Sequence, residues 1–215
     1  MQRLIEGVHR FRADEFGAYK ALFKKLSVSG QNPHTLFITC CDSRVLAELI
    51  TQSRPGDLFV VKNVGNIVPP ASAVGSTNST AAAIEFAVGT LKVSDIVVCG
   101  HSQCGAMQAL LHGVPDAEMM PHLRDWIEVA APVRQVIAKD YVHLKRESER
   151  ETAAAQENVL FALENLHTYP AVESRLADGS LHLHAWFFNI AMAELFAYNP
   201  ETKQFSPLIR PTADK

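Results

Sequence analysis

The sequence has no excess of positive charge, since 20 Lys and Arg stand against 23 Asp and Glu and the formal net charge is −3. Proteins that bind nucleic acid or an anionic membrane usually carry a basic patch that attracts phosphates. We therefore expect no nucleic-acid partner and no membrane partner, which leaves small molecules and other protein chains. The sequence also lacks an apolar run of about 18 residues, the length that predicts a transmembrane helix.

Cysteine is scarce, and a leader-like start is absent. The first residues include Glu6, Asp14 and Glu15, which signal and transit peptides disfavour. We therefore expect a cytoplasmic protein. Disulfides are rare in that compartment, so metal binding, chemistry or core packing is the expected use of the four cysteines in this chain of 215 residues.

Segments rich in β-branched and aromatic residues predict four strands. They are residues 35–40, 57–64, 95–101 and 181–190. The first three are continuously apolar and separated by helical patterns, which is typical of parallel strands buried on both faces. The fourth alternates at its start and comes late, so we expect it to be an edge strand. The sequence thus predicts an α/β fold with a mostly parallel central sheet flanked by helices.

An N-terminal helical arm is predicted at residues 2–27, where apolar residues recur at spacings of three and four. Its apolar stripe must be covered by its own domain or by a second subunit, and the sequence leaves both open. Further helices are predicted at 44–52, 78–92, 103–112, 123–138, 148–166 and 170–177, with a loop at 69–79. We expect one domain over residues 1–215, with the arm at 1–27 and an α/β body at 28–215.

Two motifs place soft metal ligands at the ends of predicted strands. TCCDSRV puts Cys40 at the end of the first strand, and IVVCGHSQCGAM puts His101 at the end of the third. Ser102 is the expected cap of the next helix, with Cys104 in its first turn. Functional sites of open parallel sheets form beyond the carboxyl ends of the strands, so these side chains are expected to converge. Two thiols and one imidazole suit zinc, and three protein ligands are typical of a catalytic site.

The chain resembles the β-class carbonic anhydrases. The resemblance is carried by CxDSR at residues 40–44 and GHSxCG at 100–105, and extends to GDLFVVKNVGNIVPP, AIEFAVGTLKVSDIVVCGH and LHLHAWFFNI. It implies that Cys40, His101 and Cys104 hold one Zn²⁺ in each chain. It also implies a salt-linked pair, Asp42 and Arg44, beside the metal.

The resemblance extends to the substrate pocket. Phe59 and Val64 match pocket walls, and Gly105 follows the last ligand where a backbone amide approaches the substrate. Gln31 matches a glutamine that reaches toward bicarbonate, generally in a neighbouring subunit's site. Phe86 stands where many relatives carry Tyr, so we leave it out of the predicted site.

The activity implied by the resemblance is the reversible hydration of CO2 to bicarbonate and a proton by a zinc-bound hydroxide. Asp42 would orient the hydroxide, and Arg44 would keep the Asp42 carboxylate off the metal. An offshoot of the family that acts on CS2 or COS is one alternative, and a noncatalytic zinc module is another. The family also implies a homodimer formed by exchange of N-terminal helices, or a homotetramer of such dimers.

The remaining thiols and a regulatory pocket complete the interpretation. Cys41 and Cys99 are predicted to be core residues that point away from the metal. Some relatives hold inhibitory bicarbonate in a pocket marked by Trp, Arg and Tyr, and the corresponding residues here are Phe37, Lys62 and Phe188. Because these side chains lack the indole, the planar guanidinium and the phenol, we expect the open form, with Arg44 paired to Asp42.

Overall fold

The computed structural model describes residues 1–73 and 77–208. Its strands are β1 Thr35–Cys40, β2 Leu58–Asn63, β3 Asp95–His101, β4 His182–Asn189, β5 Glu194–Asn199 and β6 Gln204–Pro207. They form one six-stranded sheet in the order β2-β1-β3-β4-β5-β6. Strands β1 to β4 pair in parallel, and β5 and β6 are added antiparallel. The predicted α/β fold with a mostly parallel sheet is confirmed.

The segment at 181–190 forms an internal strand, so the prediction that it lies at an edge is wrong. As β4 it lies between β3 and β5. Its alternation is confined to the first residues, and farther along the strand Ala185, Phe187 and Phe188 are buried. Strands β5 and β6 were not predicted, because they are short and partly exposed. The outer strand on this side of the sheet is β6.

The helices follow the predicted pattern with shifted bounds. They are α1 Gln2–Arg10, α2 Phe16–Ser29, α3 Ala47–Thr51, α4 Ser79–Glu85, α5 Gly105–His112, α6 Pro121–Glu128, α7 Ala131–Asp140, α8 Glu147–Leu166 and α9 Pro170–Ala177. The single helix predicted at 123–138 is two helices, because Pro132 lies in the first turn of α7 and cannot continue a preceding helix. The predicted loop at 69–79 includes residues 74–76, which lie outside the described residues, as do residues 209–215 of the predicted domain.

The two faces of the sheet are covered unequally. Leu36, Ile38 and Val98 belong to one apolar cluster, to which α4, α8 and α9 contribute, and a second cluster contains residues of α5 to α8. The opposite face carries a smaller cluster that includes Phe37 and Val97 and is joined by residues of α3. Partly buried apolar side chains, Leu58, Val60 and Trp186, surround this smaller cluster. Apolar surface therefore remains accessible on the face away from the main helical layer.

The N-terminal arm is helical, as predicted, and lies outside the core. Helices α1 and α2 are joined by a wider turn at Phe11–Glu15, and none of the residues from Gln2 to Ser29 is buried. Leu4, Ile5 and Val8 are 70%, 52% and 66% exposed. Within residues 1–73 and 77–208, no helix has both the length and the apolar character that a bilayer crossing requires.

Gly100 allows α8 to approach β3 closely, and Gly100→Ala is expected to lower the free energy of unfolding by about 1–3 kcal/mol. A Cβ there would lie 2.8 Å from Val159 Cγ2 and 3.0 Å from the Ala155 carbonyl oxygen. Because that oxygen belongs to the backbone of α8, the helix or the strand must move. Urea unfolding at fixed protein concentration measures the effect. Gly89→Ala is the control, since nothing lies within 4 Å of its added Cβ. Equal stability of Gly100→Ala and the unmodified protein would contradict the expectation.

Candidate metal centre

The pairing of β1 with β3 brings Cys40 and His101 to the same edge of the sheet. The two strands are parallel, with Thr39 opposite Cys99, so their carboxyl ends lie side by side. Cys104 follows β3 as the residue that caps α5. The ligand atoms of Cys40, His101 and Cys104 lie within 4.8 Å of one another. All three residues are buried. The structure therefore brings the three predicted ligands together.

The imidazole of His101 is oriented for coordination. Its Nδ1 lies 2.9 Å from the Ser102 carbonyl oxygen, so Nδ1 carries the proton and donates it to that oxygen. The lone pair of Nε2 is then free to bind a metal. Nε2 is buried and has no hydrogen-bond partner among the described residues. A cation bound between the sulfurs would give this buried nitrogen a partner.

The two sulfurs also fit a cation. A hydrogen bond from the Cys104 thiol lowers the pKa of Cys40, and the N–H of Gly65 donates to the Cys40 sulfur at 3.4 Å. The same contact with Cys40, together with burial, raises the pKa of Cys104. The two pKa values shift in opposite directions because two adjacent buried thiolates would repel each other. A divalent cation would remove that repulsion, and zinc prefers such a donor set.

Asp42 and Arg44 form an ion pair at the rim of the centre. The Arg44 Nε and Nη2 atoms donate to the two Asp42 carboxylate oxygens at 3.0 and 2.8 Å. These hydrogen bonds hold the pKa of the Asp42 carboxyl well below its usual range. Oδ2 of Asp42 lies 4.0 Å from Nε2 of His101. An ionised carboxylate therefore lies next to the ligand atoms, and the guanidinium fixes its orientation.

Two further residues hold this pair, and the sequence analysis did not assign them that task. Gln103 accepts hydrogen bonds from Arg44 through its side-chain Oε1 at 3.3 Å and its carbonyl oxygen at 3.2 Å. Lys62 donates to the carbonyl oxygens of Asp42 at 3.1 Å and Val45 at 2.7 Å. Gln103 is the fourth residue of GHSQCG, and nothing in the motif predicted its contact with Arg44. Lys62 drew attention only as a replacement for Arg in another pocket.

The predicted pocket residues lie at different distances along the sheet. Val64 directly precedes Gly65, whose N–H contacts the Cys40 sulfur, and Gly105 directly follows Cys104, so both adjoin the centre. Phe59 lies farther from this edge, opposite Leu36 in the register, and its ring packs 5.9 Å from that of Phe86 between centroids.

Gln31 lies at the opposite edge of the sheet from the candidate metal ligands of its own chain. It is exposed and precedes β1, whereas Cys40 ends that strand. A strand of this length spans roughly 20 Å at about 3.3 Å per residue. Gln31 is therefore not brought to the centre of its own chain.

Three smaller predictions have mixed outcomes. Cys99 is buried, as predicted, but Cys41 is exposed, so its assignment to the core is wrong. The chain leaves the strand at Cys40, and the residue after it turns outward. Ser102 does not cap α5, because Cys104 occupies that position. Instead, the Ser102 hydroxyl accepts a hydrogen bond from the Ile190 backbone N–H at 3.0 Å.

A second group of potential ligands lies on the surface and differs in character. Nε2 of His112 contacts Glu147 at 3.0 Å and Glu151 at 3.9 Å, so the imidazole already has carboxylate partners. His112 and Glu147 are exposed, and Lys145 and Arg150 line the same cavity of about 230 Å³. Their positive charges disfavour a bound cation. The buried centre is therefore the better candidate.

Known proteins resemble the chain over nearly its whole length. The family described as "Carbonic anhydrase" matches residues 35–195. A carbonic anhydrase of Synechocystis is 47% identical over 199 residues, covering 93% of this chain and 71% of the relative. One of Pseudomonas aeruginosa is 39% identical over 208 residues, covering 97% and 92%. The solved structure of the β-carbonic anhydrase CcaA has a TM-score of 0.91 at 44% identity, covering 96% of this chain and 98% of that one. A structure from a study of two tetrameric β-carbonic anhydrases of Sordaria macrospora has a TM-score of 0.81 at 31% identity, covering 91% and 95%.

The donor set predicts about one tightly bound Zn²⁺ per chain. His101→Ala and Cys104→Ser should each lose most of this zinc, because two ligands hold the ion far less tightly than three. Metal analysis after gel filtration measures the ratio. His112→Ala, in the surface group, is the control and should keep the zinc content of the unmodified protein. Full zinc content in both ligand variants, or loss of zinc in the control alone, would contradict the assignment.

Proposed function

Because the chain belongs to the β-carbonic anhydrase family and is a carbonic anhydrase, we propose that it hydrates CO2 reversibly to bicarbonate at a zinc site formed by Cys40, His101 and Cys104. The observation that carries the proposal is the buried group of three ligands with the Asp42–Arg44 pair at its rim. Zinc bound there would supply a Lewis acid that makes water nucleophilic at mildly alkaline pH, because the two thiolates donate negative charge to the ion.

Asp42 orients the attacking water in this proposal. Its carboxylate lies at the edge of the ligand group and is ionised because Arg44 lowers its pKa. It can therefore accept a hydrogen bond from the water and direct an oxygen lone pair toward the carbon of CO2. The sign of the shift matters here: a lowered pKa keeps the carboxylate charged throughout the neutral range, so Asp42 does not set the pH at which activity appears.

Arg44 is assigned a positioning task. Its two donors bind both carboxylate oxygens of Asp42, and Gln103 fixes the other side of the guanidinium. A carboxylate held in this way is kept off the metal. Lysine could keep the charge but could not reproduce the planar two-point contact.

The substrate pocket is proposed to adjoin the two loops of the centre. Val64 supplies apolar surface, which suits a nonpolar molecule such as CO2, and the amide of Gly105 is assigned to the developing bicarbonate oxygen. Phe59 extends the apolar wall further into the sheet, where it packs on Phe86. These residues stay predictions drawn from the resemblance, supported by the position of Val64 and Gly105 beside the ligands.

We propose that the chain assembles into a homodimer, or a homotetramer built from dimers, with residues 1–27 as the exchanged arm and 28–215 as the catalytic body. The support is the exposed apolar surface of α1 and the accessible apolar side chains on the second face of the sheet. Gln31 follows the arm, so exchange would carry it toward a partner chain, where we propose it contacts bicarbonate. A cytoplasmic location, without nucleic-acid or membrane partners, stays a prediction from the sequence.

The zinc-loaded protein is expected to hydrate CO2 in a stopped-flow indicator assay, and Arg44→Ala should lower kcat/KM roughly 100-fold because Asp42 loses its fixed orientation. Arg44→Lys should also be impaired, since an ammonium cannot bind both carboxylate oxygens. Zinc content is measured in parallel and should not change.

Arg134→Ala is the control for the loss of an arginine–carboxylate pair. Arg134 donates to both oxygens of Glu128 at 2.9 and 3.0 Å, away from the centre. Its removal should leave hydration near the level of the unmodified protein. An Arg44→Ala enzyme with full activity and full zinc would contradict the assigned task of Arg44. A zinc-loaded unmodified protein without hydration activity would contradict the proposed function.

The arm is tested by placing charge on its apolar stripe. Ile5→Glu combined with Val8→Glu should shift the protein toward a smaller species in sedimentation velocity, because burying two carboxylates in an interface is costly. Lys24→Gln, an exposed polar change in the same arm, should keep the original size. An unchanged sedimentation coefficient for the double variant would show that the stripe does not hold the assembly together.

A further inference from the structure

Two side chains from helices distant in the sequence hold the backbone of Val64 and Gly65, which lies beside the Cys40 sulfur. Asn158 of α8 donates through Nδ2 to the Gly65 carbonyl oxygen at 2.9 Å. Trp126 of α6 donates through Nε1 to the Val64 carbonyl oxygen at 2.7 Å. The N–H of Gly65, in the same peptide unit as the Val64 carbonyl, donates to the sulfur of Cys40 at 3.4 Å. Three hydrogen bonds thus meet on two successive peptide units beside a metal ligand.

Gly65 needs such support because its own conformation is permissive. Its φ of 80° lies in the left-handed region, which glycine adopts without the strain of other residues. A Cβ here would come within 2.8 Å of the Ala106 Cβ, so the close approach of α5 also requires glycine. A residue with this freedom does not fix the direction of its N–H by itself. The contacts from Trp126 and Asn158 do so.

The two donors act in different ways. Trp126 binds the oxygen of the peptide whose N–H contacts Cys40, so it polarises that peptide and strengthens the N–H as a donor. Asn158 binds the next carbonyl and fixes the orientation of Gly65. Together they hold a hydrogen bond on the sulfur.

Asn158 is a buried polar side chain whose hydrogen-bonding capacity is only partly satisfied. It is 1% exposed, in the middle of a helix whose other buried side chains are mostly apolar. Its Oδ1 atom is buried and has no hydrogen-bond partner among the described residues. A buried polar atom without a partner is destabilising. Violations of this kind are expected where a residue has a functional task, and here the task of the side chain is its N–H.

We propose that Trp126 and Asn158 are positioning residues of the metal centre, which hold the Val64–Gly65 peptide so that its N–H donates to the Cys40 thiolate. This inference rests on the proposed function, because it assumes that Cys40 binds the metal. A hydrogen bond to a ligating sulfur withdraws charge from it, which tunes the ligand and fixes its position. Removing either donor therefore changes how Cys40 binds the metal while all three ligands remain.

The experiment uses Trp126→Phe and Asn158→Ala in the full-length protein. Phenylalanine keeps a six-membered aromatic ring but lacks the five-membered ring of the indole and its N–H donor. Zinc release to a chromophoric chelator should be roughly 10-fold faster in each variant, as is typical when a residue supporting a ligand is lost. In the cobalt(II)-substituted protein, the thiolate-to-metal charge-transfer band should move to longer wavelength, because a sulfur without its hydrogen bond gives up charge more easily.

Asn165→Ala is the matched control. Asn165 lies on the same face of α8, is also buried, and donates through Nδ2 to the Val68 carbonyl oxygen at 2.8 Å. Its loss removes an equivalent bond to the same loop but none that leads to Cys40. This variant should be less stable, yet keep the zinc-release rate and the cobalt spectrum of the unmodified protein.

Each outcome decides one proposition. Unchanged release rates and spectra in Trp126→Phe and Asn158→Ala would overturn this inference, and so would an equal spectral shift in Asn165→Ala. If Asn158→Ala fails to fold, Trp126→Phe decides alone, since the side chain of Trp126 is only half-buried and phenylalanine keeps an aromatic ring there. An unmodified protein that binds neither zinc nor cobalt would instead overturn the metal site on which the proposed function depends.

Discussion

The parallel pairing of β1 with β3 is the constraint on which the site depends. It places Cys40 and His101 at one edge of the sheet, and the turn after β3 then returns Cys104 to the same point. Each of the three residues would be an ordinary buried side chain if the strands ran in opposite directions, because their ends would lie on opposite edges. The hydrogen-bonded ladder thus creates the centre, and α8 packs closely against Gly100, the residue before His101.

Around this centre, charge and hydrogen bonding are arranged in layers. The carboxylate of Asp42 contacts the rim, Arg44 holds the carboxylate, and Gln103 and Lys62 hold the segment that carries both. On the other side, peptide groups rather than charged groups contact the sulfur of Cys40. This arrangement agrees with the free-energy cost of burial. Burying an amide that has a hydrogen-bond partner costs little, whereas burying an unpaired ion costs much more.

The sequence predicted that Cys40, His101 and Cys104 would lie together, because they belong to short motifs at strand ends, where local pattern and three-dimensional position coincide. The fold class followed from the continuous apolar strands in the same way. The last two strands, β5 and β6, were not predicted because they are short, partly exposed and without a strong apolar periodicity. The residues that hold the backbone of the centre were not predicted for another reason. The hydrogen bond between Asn158 and Gly65 joins residues 93 positions apart, and no local sequence pattern encodes such a pair. Cys41 was misplaced because the strand was assumed to continue by one residue.

The outward turn at Cys41 gives the protein a single accessible thiol beside its centre. Of the four cysteines, all within the described residues, Cys40, Cys99 and Cys104 are buried, and only Cys41 is exposed. A maleimide dye should therefore attach at one position, adjacent in the chain to the proposed metal ligand Cys40, without any engineered residue. Emission from a dye at that position would respond to movements of the segment that carries Asp42 and Arg44. Fluorescence could therefore follow this segment in the protein without a substitution.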